Sequence, residues 1–188
     1  NCIDSIQLSI TEPSFPLSIQ EIVTSHQNVS CYSDNDGQFE VVGSGGNFPY
    51  QYIFNQDTLF IPLIDSLFAG SYLISILDAN NCVSDTVVQI TEPLELNASY
   101  SYTEPSCYGY SDGVLIGNAS GGSPAYSFFW NSVFGDSITN ITAGSYQLIV
   151  QDAFSCTDTM MIVLDQPEEI VLSEMINMHQ DVSCYDSF

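Results

Sequence analysis

The sequence is built from a unit of about 75 residues that recurs along the chain. A Val-Ser-Cys or Pro-Ser-Cys tripeptide ends at Cys31, Cys107 and Cys184, and a Glu-Pro or Gln-Pro dipeptide closes the units at Pro93 and Pro167. A repeat of this length predicts a row of similar modules, because each unit carries the same apolar and turn positions. The fold must therefore be one that a unit of this size can form and that can be joined end to end.

The repeat divides the sequence into four segments. Residues 14–93 and 94–167 are predicted to be two whole repeats. Residues 1–13 are predicted to be the C-terminal strand of a preceding repeat, and residues 168–188 the N-terminal part of a following one. These segments predict that the sequence is a piece of a longer repeat protein.

Each whole repeat reads as a series of β-strands. Aromatic, β-prone runs occur at residues 50–54 and 126–130, and apolar runs follow at residues 72–77 and 146–150. Turn residues separate these runs, and no sustained helical period of apolar residues is present. The predicted fold class is all-β, as tandem immunoglobulin-like β-sandwich repeats of about 75 residues.

The charge balance excludes several functions. The chain has 23 Asp and Glu, no Lys or Arg, and a formal net charge of -23. Nucleic-acid binding and docking on anionic lipids both need a basic surface, so neither is expected. No run of apolar residues is long enough to span a bilayer, so direct membrane insertion is not expected. An apolar content of 45% nevertheless predicts a folded chain.

The sequence offers no pattern typical of an active site. The only two histidines, His26 and His179, occupy the same position in successive repeats, as expected for scaffold residues. A Ser-His-Asp set cannot be argued from them. The chain is therefore predicted not to be an enzyme, and no cofactor is predicted except a possible calcium ion.

The cysteines recur at fixed places, which favours disulfides in an oxidising compartment. In an immunoglobulin-like sandwich Cys31 and Cys82 would lie a strand length apart, too far for a disulfide. The C-terminal end of one repeat meets the N-terminal end of the next, which favours a bond between Cys31 and Cys156. In that arrangement four cysteines have partners beyond the sequence: Cys2, Cys82, Cys107 and Cys184. The alternative, if the segment before Cys31 is a linker, is pairing within each repeat, Cys31 with Cys82 and Cys107 with Cys156.

The ordered motifs of each unit resemble the SprB-type repeat of gliding-motility adhesins from Bacteroidetes. In the first repeat the matching residues are Cys31, Asp36-Gly37, Gly45-Gly46, Pro49-Tyr50, Ala69-Gly70-Ser71-Tyr72, Asp78-Ala79, Cys82 and Glu92-Pro93. The resemblance implies an extracellular filament at the outer-membrane-associated cell surface, exported by type IX secretion and moved in gliding. Its implied partners are neighbouring repeats of the same chain, the gliding or secretion machinery and an external substratum.

Two functions are compatible with this resemblance. The favoured one is a structural stalk segment of a long extracellular adhesin filament, serving gliding motility and surface attachment. The alternative is a glycan- or substratum-binding repeat module of a secreted surface protein. A stalk tolerates the loss of repeats, whereas a binding module loses affinity when its aromatic or loop residues change.

Two further sites are predicted. The carboxylates of Asp34, Asp36 and Asp152 lie in turns that would meet at the repeat junction, and calcium prefers such oxygen ligands; the alternative is that these residues simply form turns. An Asp-Ser/Thr-aliphatic or Asp-Thr-Met triplet occurs six times. It looks like the O-glycosylation acceptor that the resemblance implies, and its alternative is an ordinary strand start. The six acceptors are Ser5, Thr58, Ser66, Thr86, Ser137 and Thr159.

Overall fold

The computed structural model describes residues 4–59 and 62–173. Within these ranges the regular structure consists of β-strands and one short 3-10 helix, Val23–Ser25. The strands of the first repeat are β1 Ser18–Glu21, β2 Gly37–Ser44, β3 Gln51–Phe54, β4 Asp57–Leu59, β5 Leu63–Leu67, β6 Gly70–Leu77 and β7 Val83–Ile90. Those of the second are β8 Asn97–Thr103, β9 Gly113–Ser120, β10 Ser127–Trp130, β11 Val133–Phe134, β12 Ser137–Ile141, β13 Gly144–Gln151 and β14 Thr157–Leu164.

Both repeats have the same sheet order. In the first, one sheet has the order β1-β2-β5 and the other the order β4-β3-β6-β7. In the second, the corresponding orders are β8-β9-β12 and β11-β10-β13-β14. Strand β6 runs antiparallel to β7 along its whole length, from Gly70 opposite Ile90 to Leu77 opposite Val83.

The core of the first repeat lies between its two sheets. Phe39 and Val41 from β2 pack in one cluster with Ile74 and Ile76 from β6 and with Ile90 from β7. Inward-facing residues alternate with exposed ones along these strands, as expected when one face of each sheet is buried. The predicted all-β sandwich fold is therefore confirmed.

The core of the second repeat uses equivalent positions. Leu115, Leu148, Val150 and Ile162 are buried, and so is Trp130, the only tryptophan. The aromatic run that ends at Trp130 thus contributes its largest side chain to the core. Burial of so large a side chain makes this residue a main source of the hydrophobic stabilisation of the repeat.

The described residues form two compact units that do not coincide with the two sequence repeats. The first unit comprises residues up to Asn97 together with the loop segments Ser120–Tyr126 and Gln151–Thr157. The second comprises the remaining residues from Ala98 onward. Two loops of the second repeat thus belong to the compact unit built around the first. The predicted repeat boundaries describe the sequence period and stay predictions.

Candidate functional site: the cysteine-bearing loops

The loop between the 3-10 helix and β2 carries Cys31. The backbone N–H of Ser30 donates to the carboxylate of Asp36 at 2.9 Å, and the N–H of Ser33 donates to Glu92 at 2.7 Å. Hydrogen bonds from Ser30 hold the pKa of Asp36 below its usual value. These bonds fix the loop on both sides of Cys31 and so position its sulfur.

The loop between β13 and β14 carries Cys156. Its centre is the buried carboxylate of Asp152, which accepts three backbone hydrogen bonds. Oδ1 accepts from Phe154 and Cys156, both at 2.9 Å, and Oδ2 accepts from Ser123 at 2.8 Å. A buried carboxylate is tolerated when N–H donors surround it. Asp152 thereby shapes the turn that presents Cys156.

A disulfide joins Cys31 to Cys156, with their Cα atoms 5.7 Å apart. The two residues are separated by 125 positions in the sequence, and both belong to the first compact unit. The bonded pair comes from non-equivalent positions of successive repeats, which is the pairing that the topology of the sandwich favours.

The alternative pairing within each repeat is wrong. Cys31 is not bonded to Cys82, nor Cys107 to Cys156; Cys82 and Cys107 are exposed free thiols. The reason is that Cys31 precedes the first long strand of its repeat whereas Cys82 precedes the last strand, and these points lie at opposite ends of the sandwich. Cys2 and Cys184 lie outside the described residues.

The structure does not assemble the predicted calcium ligands. Asp36 accepts a backbone N–H of its own loop, and Asp152 accepts backbone N–H groups of its own loop and of the loop at Ser123, so the role observed for both is to shape loops. Among residues 4–59 and 62–173, no group of three His, Cys, Asp or Glu side chains is placed to hold a metal ion. Asp34 therefore belongs to no such group. The described residues thus do not bring the three carboxylates together as a ligand set, and calcium binding stays a prediction.

The six predicted glycan acceptors do not share one environment. Ser5 lies before β1 and outside any strand, whereas Thr58 and Ser137 lie on strands β4 and β12. Five of the six are exposed, and Thr86 on β7 is half-buried. Exposure makes these hydroxyls accessible to modification, and their occupancy stays a prediction.

The carboxylate that shapes the cysteine loop is a functional feature that sequence reasoning missed. Asp152 stands four residues before Cys156, and Asp78 stands four residues before Cys82. The spacing is visible as a motif, but it does not indicate that the carboxylate accepts the N–H of the cysteine itself. In the first repeat the Cys82 N–H donates to Asp78 at 2.9 Å, as in the second.

The fold and these loops define a tandem β-sandwich protein stabilised by a disulfide. A family model described as the SprB repeat matches residues 23–58, which contain Cys31, Asp36 and the Gly45-Gly46 turn. The resemblance to SprB-type repeats is thereby confirmed over this part of the chain. A search of curated proteins found no match.

Several solved structures are similar to parts of this chain at low sequence identity. An amphioxus IgVJ-C2 molecule is 16% identical, with 72% of this chain and 99% of that chain covered and a TM-score of 0.34. A C-terminal fragment of intimin is 13% identical, with 84% and 64% covered and a TM-score of 0.39, so this chain spans less than two thirds of it. Fibronectin(III)-like modules of Clostridium thermocellum CbhA are 11% identical, with 83% and 100% covered and a TM-score of 0.31.

The repeats of this family come from cell-surface proteins, and a disulfide is typical of proteins outside the cytosol. In the part of the chain that the structure describes, no helix has the length and apolarity needed to cross a membrane.

Proposed function

We propose that this chain is a structural segment in the stalk of a long extracellular adhesin filament. The observation that carries this proposal is the disulfide between non-equivalent cysteines of two successive, similarly folded repeats. Such a bond couples neighbouring repeats covalently, which is useful in a filament under tension. Structural and adhesive roles are typical of repeat and immunoglobulin-like families, and we propose that the chain has no catalytic activity.

The finer parts of the proposal follow from the family. We propose that the filament stands on the outer-membrane-associated cell surface, is exported by type IX secretion and serves gliding motility. Its partners would be the neighbouring repeats, the gliding or secretion machinery and an external substratum. The net charge of -23 supports a filament role, because like-charged neighbouring filaments repel each other and stay dispersed.

A second candidate function is glycan or substratum binding by the repeats themselves. Tyr100 and Tyr102 lie two residues apart on β8, and the centroids of their rings are 6.0 Å apart. Tyr102 is exposed. Exposed aromatic rings can stack on sugar rings. Trp130 does not take part in such a surface because its side chain is buried.

Deletion of one repeat distinguishes the two functions. The full-length protein lacking residues 94–167 should reach the cell surface and support attachment of the cells to a substratum at the wild-type level. The matched variant Tyr100→Ala/Tyr102→Ala should also attach normally. Loss of attachment in the tyrosine variant, with normal surface abundance, would contradict the stalk role and favour the binding module.

A further inference from the structure

The loop that carries the free Cys107 has the same internal hydrogen bonds as the loop that carries the bonded Cys31. The Ser106 N–H donates to Asp112 at 2.9 Å, and the Gly109 N–H donates to the side chain of Gln166 at 2.8 Å. These are the counterparts of the two bonds that position Cys31. The free cysteine is thus held in the conformation that forms a disulfide elsewhere in the chain.

The loop that carries the free Cys82 likewise matches the loop of the bonded Cys156. Asp78 is buried, and its carboxylate accepts from the N–H groups of Asn80 and Cys82 at 2.9 Å through Oδ1 and from Asn47 at 2.9 Å through Oδ2. This is the arrangement around Asp152. Both free cysteines therefore occupy loops whose equivalents in the same chain are covalently joined.

Among the residues that the structure describes, the surface beside Cys107 differs from its equivalent beside Cys31 in the loops that line it. Beside Cys31, Ser30 and Asp36 line a hollow together with Ser123 and Phe154, which come from loops of the next repeat and lie in the same compact unit. The hollow beside Cys107 is lined by residues of its own loop and of the segment after β14. These residues are Ser106, Tyr108, Pro167, Glu168, Glu169 and Ile170. Loops of a following repeat would take the positions beside Cys107 that Ser123 and Phe154 take beside Cys31.

The segment before β1 gives an independent indication of a preceding repeat. Leu8 and Ile10 stand at the sequence positions of Ile162 and Leu164, which are buried on β14. Yet Leu8 is 79% and Ile10 is 97% exposed. Apolar residues in strand alternation with no sheet to cover them are expected where the rest of a sandwich lies elsewhere in the protein.

We propose that Cys82 and Cys107 form disulfides, equivalent to that of Cys31 with Cys156, with the preceding and following repeats of the same chain. This inference rests on the proposed filament function and names the partners of its cysteine-bearing loops. Each bond forms when two thiols lose their protons and two electrons to a disulfide-containing oxidant, which is reduced to two thiols.

Such bonds close rings that overlap along the filament. The ring closed by Cys31 and Cys156 spans the stretch between Cys82, where the preceding ring ends, and Cys107, where the following ring begins. Every peptide bond of the repeat array then lies inside at least one ring. A single proteolytic cut cannot separate the filament into two pieces.

The ring can be tested with one introduced trypsin site, because the chain has no Lys or Arg. Leu94 is exposed and lies between β7 and β8, inside the ring. Trypsin should cut the Leu94→Arg chain after the introduced arginine. Mass spectrometry of the oxidised sample should still find a single molecule, heavier by one water. This molecule should separate into two pieces only when the disulfide is reduced. Two controls should separate without reduction: Leu172→Arg, whose exposed site is outside the ring, and Leu94→Arg/Cys31→Ser. Separation of oxidised Leu94→Arg would contradict the ring.

The overlapping rings are tested on the full-length protein purified from cells after alkylation of free thiols. Non-reducing peptide mapping should find Cys107 bonded to a cysteine of the following repeat and Cys82 bonded to one of the preceding repeat. Alkylated Cys82 or Cys107, or a bond between them, would overturn the inference. That result would leave the stalk role intact, because the role is tested separately by deleting residues 94–167.

Discussion

At the scale of single residues, two buried aspartates show how this chain stabilises charge without any Lys or Arg. Asp78 and Asp152 are 4% and 6% exposed, and each carboxylate is surrounded by backbone N–H groups. These N–H donors replace the hydrogen bonds to water that burial removes, so the carboxylate oxygens stay hydrogen-bonded inside the loop. The donors include the N–H of the cysteine four residues later. One aspartate side chain therefore fixes both the conformation of the loop and the position of its cysteine.

The Asp152→Ala variant should lose stability. Three backbone N–H groups would lose their acceptor, and we expect the free energy of unfolding to fall by about 1–3 kcal/mol. Urea unfolding followed by the fluorescence of Trp130 measures this. Asp165→Ala, at an exposed position of the same repeat, is the control and should unfold like the wild type. Equal stability of the two variants would contradict the structural role of Asp152.

Three aspartates with a lowered pKa predict that the protein loses stability in acid. Hydrogen bonds from Ser30 to Asp36, from the N–H of Asn47 to Asp78 and from Ser106 to Asp112 lower the pKa of each carboxyl in the folded state. A lowered folded pKa contributes stability above the unfolded pKa, about 4, that is lost as the pH falls through the folded pKa.

Denaturation at a series of pH values should therefore show a free energy of unfolding that decreases below about pH 4. The Asp36→Asn/Asp112→Asn variant should show a smaller decrease over the same range, because two of the three carboxyls no longer titrate. Parallel profiles of the variant and the wild type would contradict this assignment.

At the scale of structural elements, a paired glycine turn follows β2 and its counterpart β9. Gly45 and Gly121 have φ values of 72° and 75°. A Cβ on Gly45 would lie 2.0 Å from the carbonyl oxygen of Pro16, and one on Gly121 would lie 1.9 Å from that of Glu95. Only glycine fits this approach of two backbones, which explains why the Gly-Gly motif recurs in both repeats.

Gly121→Ala should therefore be far more destabilising than Gly109→Ala. Gly109 has a φ of 72°, but a Cβ at this residue would have no atom within 4 Å, so its substitution costs only the backbone strain, about 1–2 kcal/mol. Thermal unfolding of the two variants makes the comparison at matched φ. Similar unfolding temperatures would show that the close approach to Glu95 is unimportant.

Much of the fold could be predicted from the sequence because the strands that form the cores of the two repeats are strongly apolar. The runs at residues 72–77 and 146–150 correspond to β6 and β13. The short strands between β3 and β6 were not predicted individually, since they are mostly exposed and carry a weak pattern.

The site was only partly predictable for a physical reason. The choice of Cys156 as the partner of Cys31 follows from strand direction, which the sequence pattern indicates. The hydrogen bonds of Asp36 and Asp152 depend on the local path of the loop backbone, which the pattern does not contain. An aspartate in a turn therefore suggested a cation ligand where the carboxylate in fact accepts backbone N–H groups.

At the scale of the whole molecule, the disulfide determines how much of the chain can extend under force. When the ends are pulled, tension passes through the bond, and the residues between Cys31 and Cys156 remain within a closed ring. Unfolding of a repeat then adds little length. A stalk built in this way keeps its reach even when a sandwich opens.

Single-molecule force spectroscopy of the chain, held by its two ends, tests this account most directly. The bond encloses 125 residue steps, which correspond to about 430 Å of extended chain. The oxidised protein should unfold without releasing this length, as should a Cys82→Ser control, whereas reduced protein and a Cys31→Ser variant should release it. Release of the full length by the oxidised protein would contradict the covalent coupling of successive repeats on which the proposed stalk function depends.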